Sequence, residues 1–70
     1  MSVFADRIKK LRKENNLTQK AVAQAIEITE RAYQDLEYGK NNPNYENIIK
    51  FADFFEVSTD YLLGRSNSPK

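Results

Sequence analysis

Seventy residues, 40% hydrophobic and 30% charged, give one small globular core and leave no room for a second domain. The absence of cysteine and histidine excludes disulfides, iron–sulfur clusters and thiolate zinc sites, so neither a metal nor another cofactor is expected. A formal net charge of +1 excludes a uniformly basic coat, but six Lys or Arg face only two Asp or Glu in residues 1–20, and such a local field suffices to hold phosphate. No stretch approaches the ~20 apolar residues of a membrane helix, and the N-terminus lacks the apolar core of a secretion signal. The expected location is therefore the cytoplasm, away from membranes.

Phe4, Ile8 and Leu11 fall at i, i+4 and i+7, one face of a helix over about residues 3–15, with Lys9, Lys10 and Lys13 on its other faces. The "NNLT" that follows favours a turn, and Thr18 is a good N-cap. Three later helix starts share one pattern, an apolar residue before the cap and another at the fourth helical position. This hydrophobic staple fixes the angle at which the chain enters a helix. It occurs as Leu17, Thr18, Val22; as Ile28, Thr29, Tyr33; and as Val57, Ser58, Leu62, predicting helices over about 19–26, 30–38 and 59–63. Gly39 stands where a helix-ending residue belongs, and "GKNNPN" is a loop whose Asn44 caps a helix from Tyr45 to Phe55. That helix places Ile48, Ile49, Ala52 and Phe55 on its inner stripe, with Phe51 and Phe54 widening it. Five helices and no strand make an all-α domain over residues 1–64, followed by a short, polar, flexible tail over 65–70.

The second and third helices are short and joined by a tight turn. Ala23 is the small residue where they cross, and Val22, Ile26, Tyr33 and Leu36 form the seam, an arrangement that suits a helix-turn-helix. Spacing alone suits any helical hairpin in a small bundle equally well. The stretch from Arg7 to Gly64, however, closely resembles the DNA-binding domain of the Cro and phage-repressor type, the Xre family. The resemblance rests on the basic first helix, "LTQKAVA", Leu36, Glu37, Gly39, Pro43 and the terminal "VSTDYLLG".

What the resemblance implies is a compact five-helix bundle of the lambda-repressor-like type that binds double-stranded DNA as a transcriptional regulator. The family acts as homodimers, usually repressors, on palindromic sites. The third helix would enter the major groove with Thr29, Glu30, Arg31, Gln34 and Asp35 as base-reading candidates, while the second crosses the backbone. Arg31 suits guanine O6 and N7, and Glu30 or Asp35 could accept from a cytosine amino group while repelling phosphate. On the residues alone, the alternative for Arg31 is a pair with Asp35 or Glu27 one turn away. Phosphate contacts would come from Gln19, in the first turn of its helix, from Lys40, Asn41 and Asn42 in the following loop, and from Lys10, with Lys13 the weaker candidate. Arg12 and Glu37 would form a structural salt bridge between the first and third helices. The dimer surface would come from Tyr61, Leu62 and Leu63, although all three could instead close the core, Leu62 foremost because it belongs to a staple.

Two residues depart from the family pattern. Glu27 occupies a turn position that usually holds glycine, and Tyr33 replaces a usual Ile or Val. A different reading of the same acidic helix is an antitoxin or adaptor that chiefly binds a partner protein. Enzymatic activity is not expected, because no motif pairs a nucleophile with a base, and no small-molecule ligand is implied.

Overall fold

Each helix of the computed structural model, which describes residues 2–70, begins with a side chain that closes its own first turn. Ser2 opens α1 (Val3–Glu14), Thr18 opens α2 (Gln19–Ile26), Thr29 opens α3 (Glu30–Glu37), Asn44 opens α4 (Tyr45–Phe55) and Ser58 opens α5 (Thr59–Leu63). In all five, the capping oxygen accepts the backbone N–H three residues on, at 2.8–3.2 Å. Such caps stabilise a helix by about 0.5–2 kcal/mol each. Among the described residues there are these five helices and no strand.

Three junctions use the same corner. Asn16, Glu27 and Glu56 turn into the left-handed region at φ 56°, 67° and 55°. The next residue in each case sends its N–H back to the preceding helix: Leu17 to the Arg12 carbonyl at 3.1 Å, Ile28 to Ala23 and Val57 to Ala52, both at 3.0 Å. Leu17, Ile28 and Val57 thus close one helix and, as staple residues, orient the next. Glu27, at φ 67°, stands about 1 kcal/mol above glycine there. Lys50 of α4 answers it, with its Nζ 3.6 Å from the Glu27 carboxylate and 3.4 Å from the Ile26 carbonyl.

Phe51 is the centre of the core. It is fully buried, meets Phe4 edge-on at 5.5 Å, lies 6.0 Å from Tyr33 and stacks on Phe55 at 6.5 Å. This corrects the expected stripe of α4. Its inward face is Ile48, Phe51, Ala52 and Phe55, an i, i+3, i+4, i+7 set, whereas Ile49 is 49% and Phe54 39% exposed. Ile49 falls about 100° around the helix from Ile48, so seating the Phe51 ring between α1 and α3 turns it toward solvent.

Arg7 holds the end of the chain. Its guanidinium lies over the Tyr61 ring at 4.2 Å and donates to the Tyr61 carbonyl, to the Ser66 carbonyl at 2.5 Å and to Asn67 Oδ1 at 3.1 Å. The Ser58 N–H adds a bond to the Pro69 carbonyl at 2.8 Å, so the polar tail carries ordered contacts with the body. Gly64 turns at φ 82°, and a Cβ there would sit 2.9 Å from Val3 Cγ1. Tyr61 and Leu62 are buried within the protomer, which corrects their placement on a dimer surface. The staple with Val57 draws Leu62 inward, and the Arg7 stack covers Tyr61, leaving only Leu63 of the three exposed.

Candidate nucleic-acid interface

The eight residues of α3 divide sharply between core and surface. Tyr33, Leu36 and Glu37 are buried, while Glu30 and Arg31 stand in solvent and Gln34 and Asp35 are half-buried. The staple between Ile28 and Tyr33 sets this rotation, because a large apolar body at position 33 must point at α2 and Phe51.

The ion pair beneath α3 is bidentate. Arg12 Nε donates to Glu37 Oε2 at 3.0 Å and Arg12 Nη2 to Oε1 at 2.8 Å, while Nη1 donates to the Leu17 carbonyl at 3.0 Å. One guanidinium therefore ties α1, the first corner and α3 together. Burial, the largest single influence, pushes the Glu37 carboxyl up, but the hydrogen bonds and charge of Arg12 together with the amide of Gln19 outweigh it in sum, so the group is held below the usual carboxylate range. Arg12 is raised in turn, chiefly by its hydrogen bond to Glu37.

The Tyr33 hydroxyl lies against this pair, yet no hydrogen bond of normal geometry reaches it. Burial, reinforced by the Glu37 carboxylate, pushes the phenol far above its ordinary range, so it stays neutral. Tyr33→Phe should be neutral or stabilising by up to about 1 kcal/mol, because it removes an unpaired buried polar atom at almost constant shape. Chemical denaturation measures this, and a clear loss of stability would show that the hydroxyl is bonded in solution.

The carboxylate continues outward into a chain of amides. Gln19 Nε2 donates to Glu37 Oε1 at 3.4 Å and to the Tyr38 hydroxyl at 3.3 Å, and Gln19 Oε1 accepts from Gln34 Nε2 at 3.2 Å. Gln19, in the first turn of α2, and Gln34, on the outer side of α3, thus share one surface. Tyr38, 58% exposed, was not anticipated there; its position one turn beyond Gln34 was the available signal.

Thr29 spends its hydroxyl on the Ala32 N–H at 3.0 Å and is exposed at the leading end of α3 beside Glu30. Arg31, with 81% of its side chain exposed, lies 3.6 Å from Asp35 across one helical turn. Lys40, Asn41 and Asn42 are exposed immediately after α3, where the backbone N–H groups of Lys40 and Asn41 converge on the Asp35 carbonyl at 2.8 and 3.3 Å. Lys10 and Lys13 project from α1 as exposed side chains outside this network. The arrangement presents one guanidinium, one amide and the exposed residues Lys40, Asn41 and Asn42 on a single helix and its flank, which is chemistry suited to base edges and phosphates.

Comparison with known proteins agrees with this geometry. The helix-turn-helix family model matches residues 8–62. The chain is 41% identical over 66 residues to the uncharacterized HTH-type transcriptional regulator YqaE of Bacillus subtilis, covering 93% of this chain and 57% of YqaE. It is 40% identical over 60 residues to the cryptic phage CTXphi transcriptional repressor RstR of Vibrio cholerae, covering 86% of this chain and 54% of RstR. The chain therefore spans a little over half the length of these relatives. The crystal structure of the P22 c2 repressor protein in complex with a synthetic operator superposes with a TM-score of 0.85 at 26% identity, covering 94% of this chain and all of that one. Five capped helices, a helix-turn-helix at α2 and α3 and a matching family model place this chain in the Cro/C1-type, or Xre-type, helix-turn-helix family of transcriptional regulators.

Proposed function

We propose that this domain binds double-stranded DNA sequence-specifically, as the operator-reading part of a transcriptional repressor working in the bacterial cytoplasm. The observation that carries the reading is the division of α3. Its inward residues lock it against α1, α2 and Phe51, its outward residues Glu30 and Arg31 stand in solvent, and the half-buried Gln34 is held at the edge between the two. The likeness to a repressor solved on its operator supports the same orientation. In this reading α3 lies in the major groove, Thr29, Glu30, Arg31, Gln34 and Asp35 face base edges, and Gln19, Lys40, Asn41, Asn42 and Lys10 meet phosphate. The protein acts as a homodimer on palindromic half-sites. Leu63 is the exposed apolar residue of α5, and Val3, packed against Gly64, is exposed next to it.

Selection of bound duplexes from random DNA at two salt concentrations tests this. A two-fold-related motif should emerge, and its affinity should fall by orders of magnitude between about 50 and 200 mM salt. Recovery of no enriched motif would overturn the proposal and favour a protein partner for the acidic helix. On the recovered motif, Arg31→Ala should relax preference at one base pair per half-site by roughly 1–3 kcal/mol, without loss of helix content. In the free protein Arg31 is held only by an exposed pair with Asp35, which is weak enough to yield to a guanine.

A further inference from the structure

Given the base-reading position of Gln34, we propose that Glu37 and Tyr38 are positioning residues that fix which end of the Gln34 amide faces the groove. They thereby make that position accept adenine and reject guanine. The inference rests on the DNA-binding reading above and follows from the polarity of one hydrogen-bond chain.

The chain starts at a group that can only accept. Glu37 is ionised, and its Oε1 already takes Arg12 Nη2 at 2.8 Å. The Gln19 atom 3.4 Å from that oxygen must be the amide nitrogen, since an oxygen there would face a carboxylate. The second hydrogen of the same nitrogen is directed at the Tyr38 hydroxyl, 3.3 Å away. With its nitrogen committed on both sides, Gln19 turns its Oε1 to Gln34 and accepts from Nε2 at 3.2 Å. One hydrogen of Gln34 is now used, and what remains is one acceptor, Oε1, and one donor, the second Nε2 hydrogen.

That remainder has a defined complement. Adenine offers the N6 amino donor and the N7 acceptor in the major groove, which match an acceptor beside a donor. Guanine offers O6 and N7, both acceptors, so its O6 would oppose Gln34 Oε1. An amide released from Gln19 could turn its NH2 toward O6 instead, and the discrimination would weaken. The buried ion pair, although remote from any base, thereby sets the polarity of a surface amide.

The test uses the motif recovered with the unaltered protein, with the adenine-reading position changed to guanine. The unaltered protein should prefer adenine at least about tenfold, and Gln19→Met, which keeps the length but removes both polar ends, should bring that ratio within about threefold. Gln19→Met keeps the backbone N–H that faces phosphate in the first turn of α2, and the adenine-to-guanine ratio is the quantity that decides. Tyr38→Phe removes one anchor from an exposed position and should give an intermediate ratio. In the DNA-free protein, Tyr38→Phe should shift the side-chain amide resonances of both Gln19 and Gln34 in 15N-edited spectra. Retention of the full ratio by both variants with normal helix content, or a Gln34 resonance untouched by Tyr38→Phe, overturns the polarity chain. Failure of the unaltered protein to enrich any motif overturns instead the DNA-binding reading on which it rests.

Discussion

Replacing Arg12 with alanine should destabilise the domain by about 3–5 kcal/mol, because it leaves the Glu37 carboxylate buried without its partner. The Glu37 side chain is only 1% exposed, and the guanidinium also supplies the Leu17 carbonyl, so water cannot easily take over either role. A domain of this length holds roughly 4–10 kcal/mol in total, so much of the population would unfold. Urea denaturation measures the loss, and a change below about 1 kcal/mol would show that the pair does not join α1 to α3. Replacing both partners by apolar residues of similar volume should be milder, since no charge is then stranded. The same pair gives a pH dependence of definite sign. Glu37 is held below its ordinary value in the folded state, so its contribution is present above the unfolded value near 4.5 and is lost as pH falls through the lower folded one. Arg12→Ala should reverse the slope of that acid limb, because burial without the guanidinium pushes the Glu37 carboxyl up in the folded state and protonation then relieves the stranded charge.

Phe51→Ala should be of similar size, about 3–5 kcal/mol, for a different reason. The ring is fully buried, and its loss opens a cavity bounded by Phe4, Tyr33 and Phe55, residues of α1, α3 and α4. The rims of that cavity are themselves large rings that cannot all collapse inward. Ile49→Ala, two positions away on the same helix, should cost less than about 1 kcal/mol, since its side chain is half in solvent. Thermal unfolding of the two variants side by side separates them, and equal losses would mean that α4 is rotated from the orientation described here.

That contrast marks what local sequence could and could not convey. Helix starts were legible because a cap and a staple are written within six consecutive residues: Thr18, Thr29 and Ser58 each cap as their spacing predicted. The face of α4 was not legible, because six of the eight residues from Ile48 to Phe55 are apolar and give no clean stripe. Only the placement of Phe51 among rings from other helices resolves it. Left-handed residues at Asn16 and Glu56 escaped notice for a related reason, since neither is glycine and the need for a positive φ comes from the bond back to the preceding helix. Long cations were equally opaque. Arg7 reaches residues more than fifty positions away, and Lys50 caps α2 across 24, and no periodicity encodes either reach. At the candidate interface, the surface positions on α3 follow from the staple, whereas their assignment to bases or phosphates came from family resemblance. The Gln19–Gln34 bond and the part of Tyr38 needed coordinates, because they depend on how two helices cross.

The repeated corner has a consequence for how a new binding preference can arise. Ile28 fixes the direction of α3 from inside the protein, while Glu30 and Arg31 have no contact with the core. Heading and vocabulary of the helix are therefore stored in different residues. Exchanging the outer side chains rewrites the message without tilting the helix, and altering Ile28 would tilt it without changing a single exposed letter.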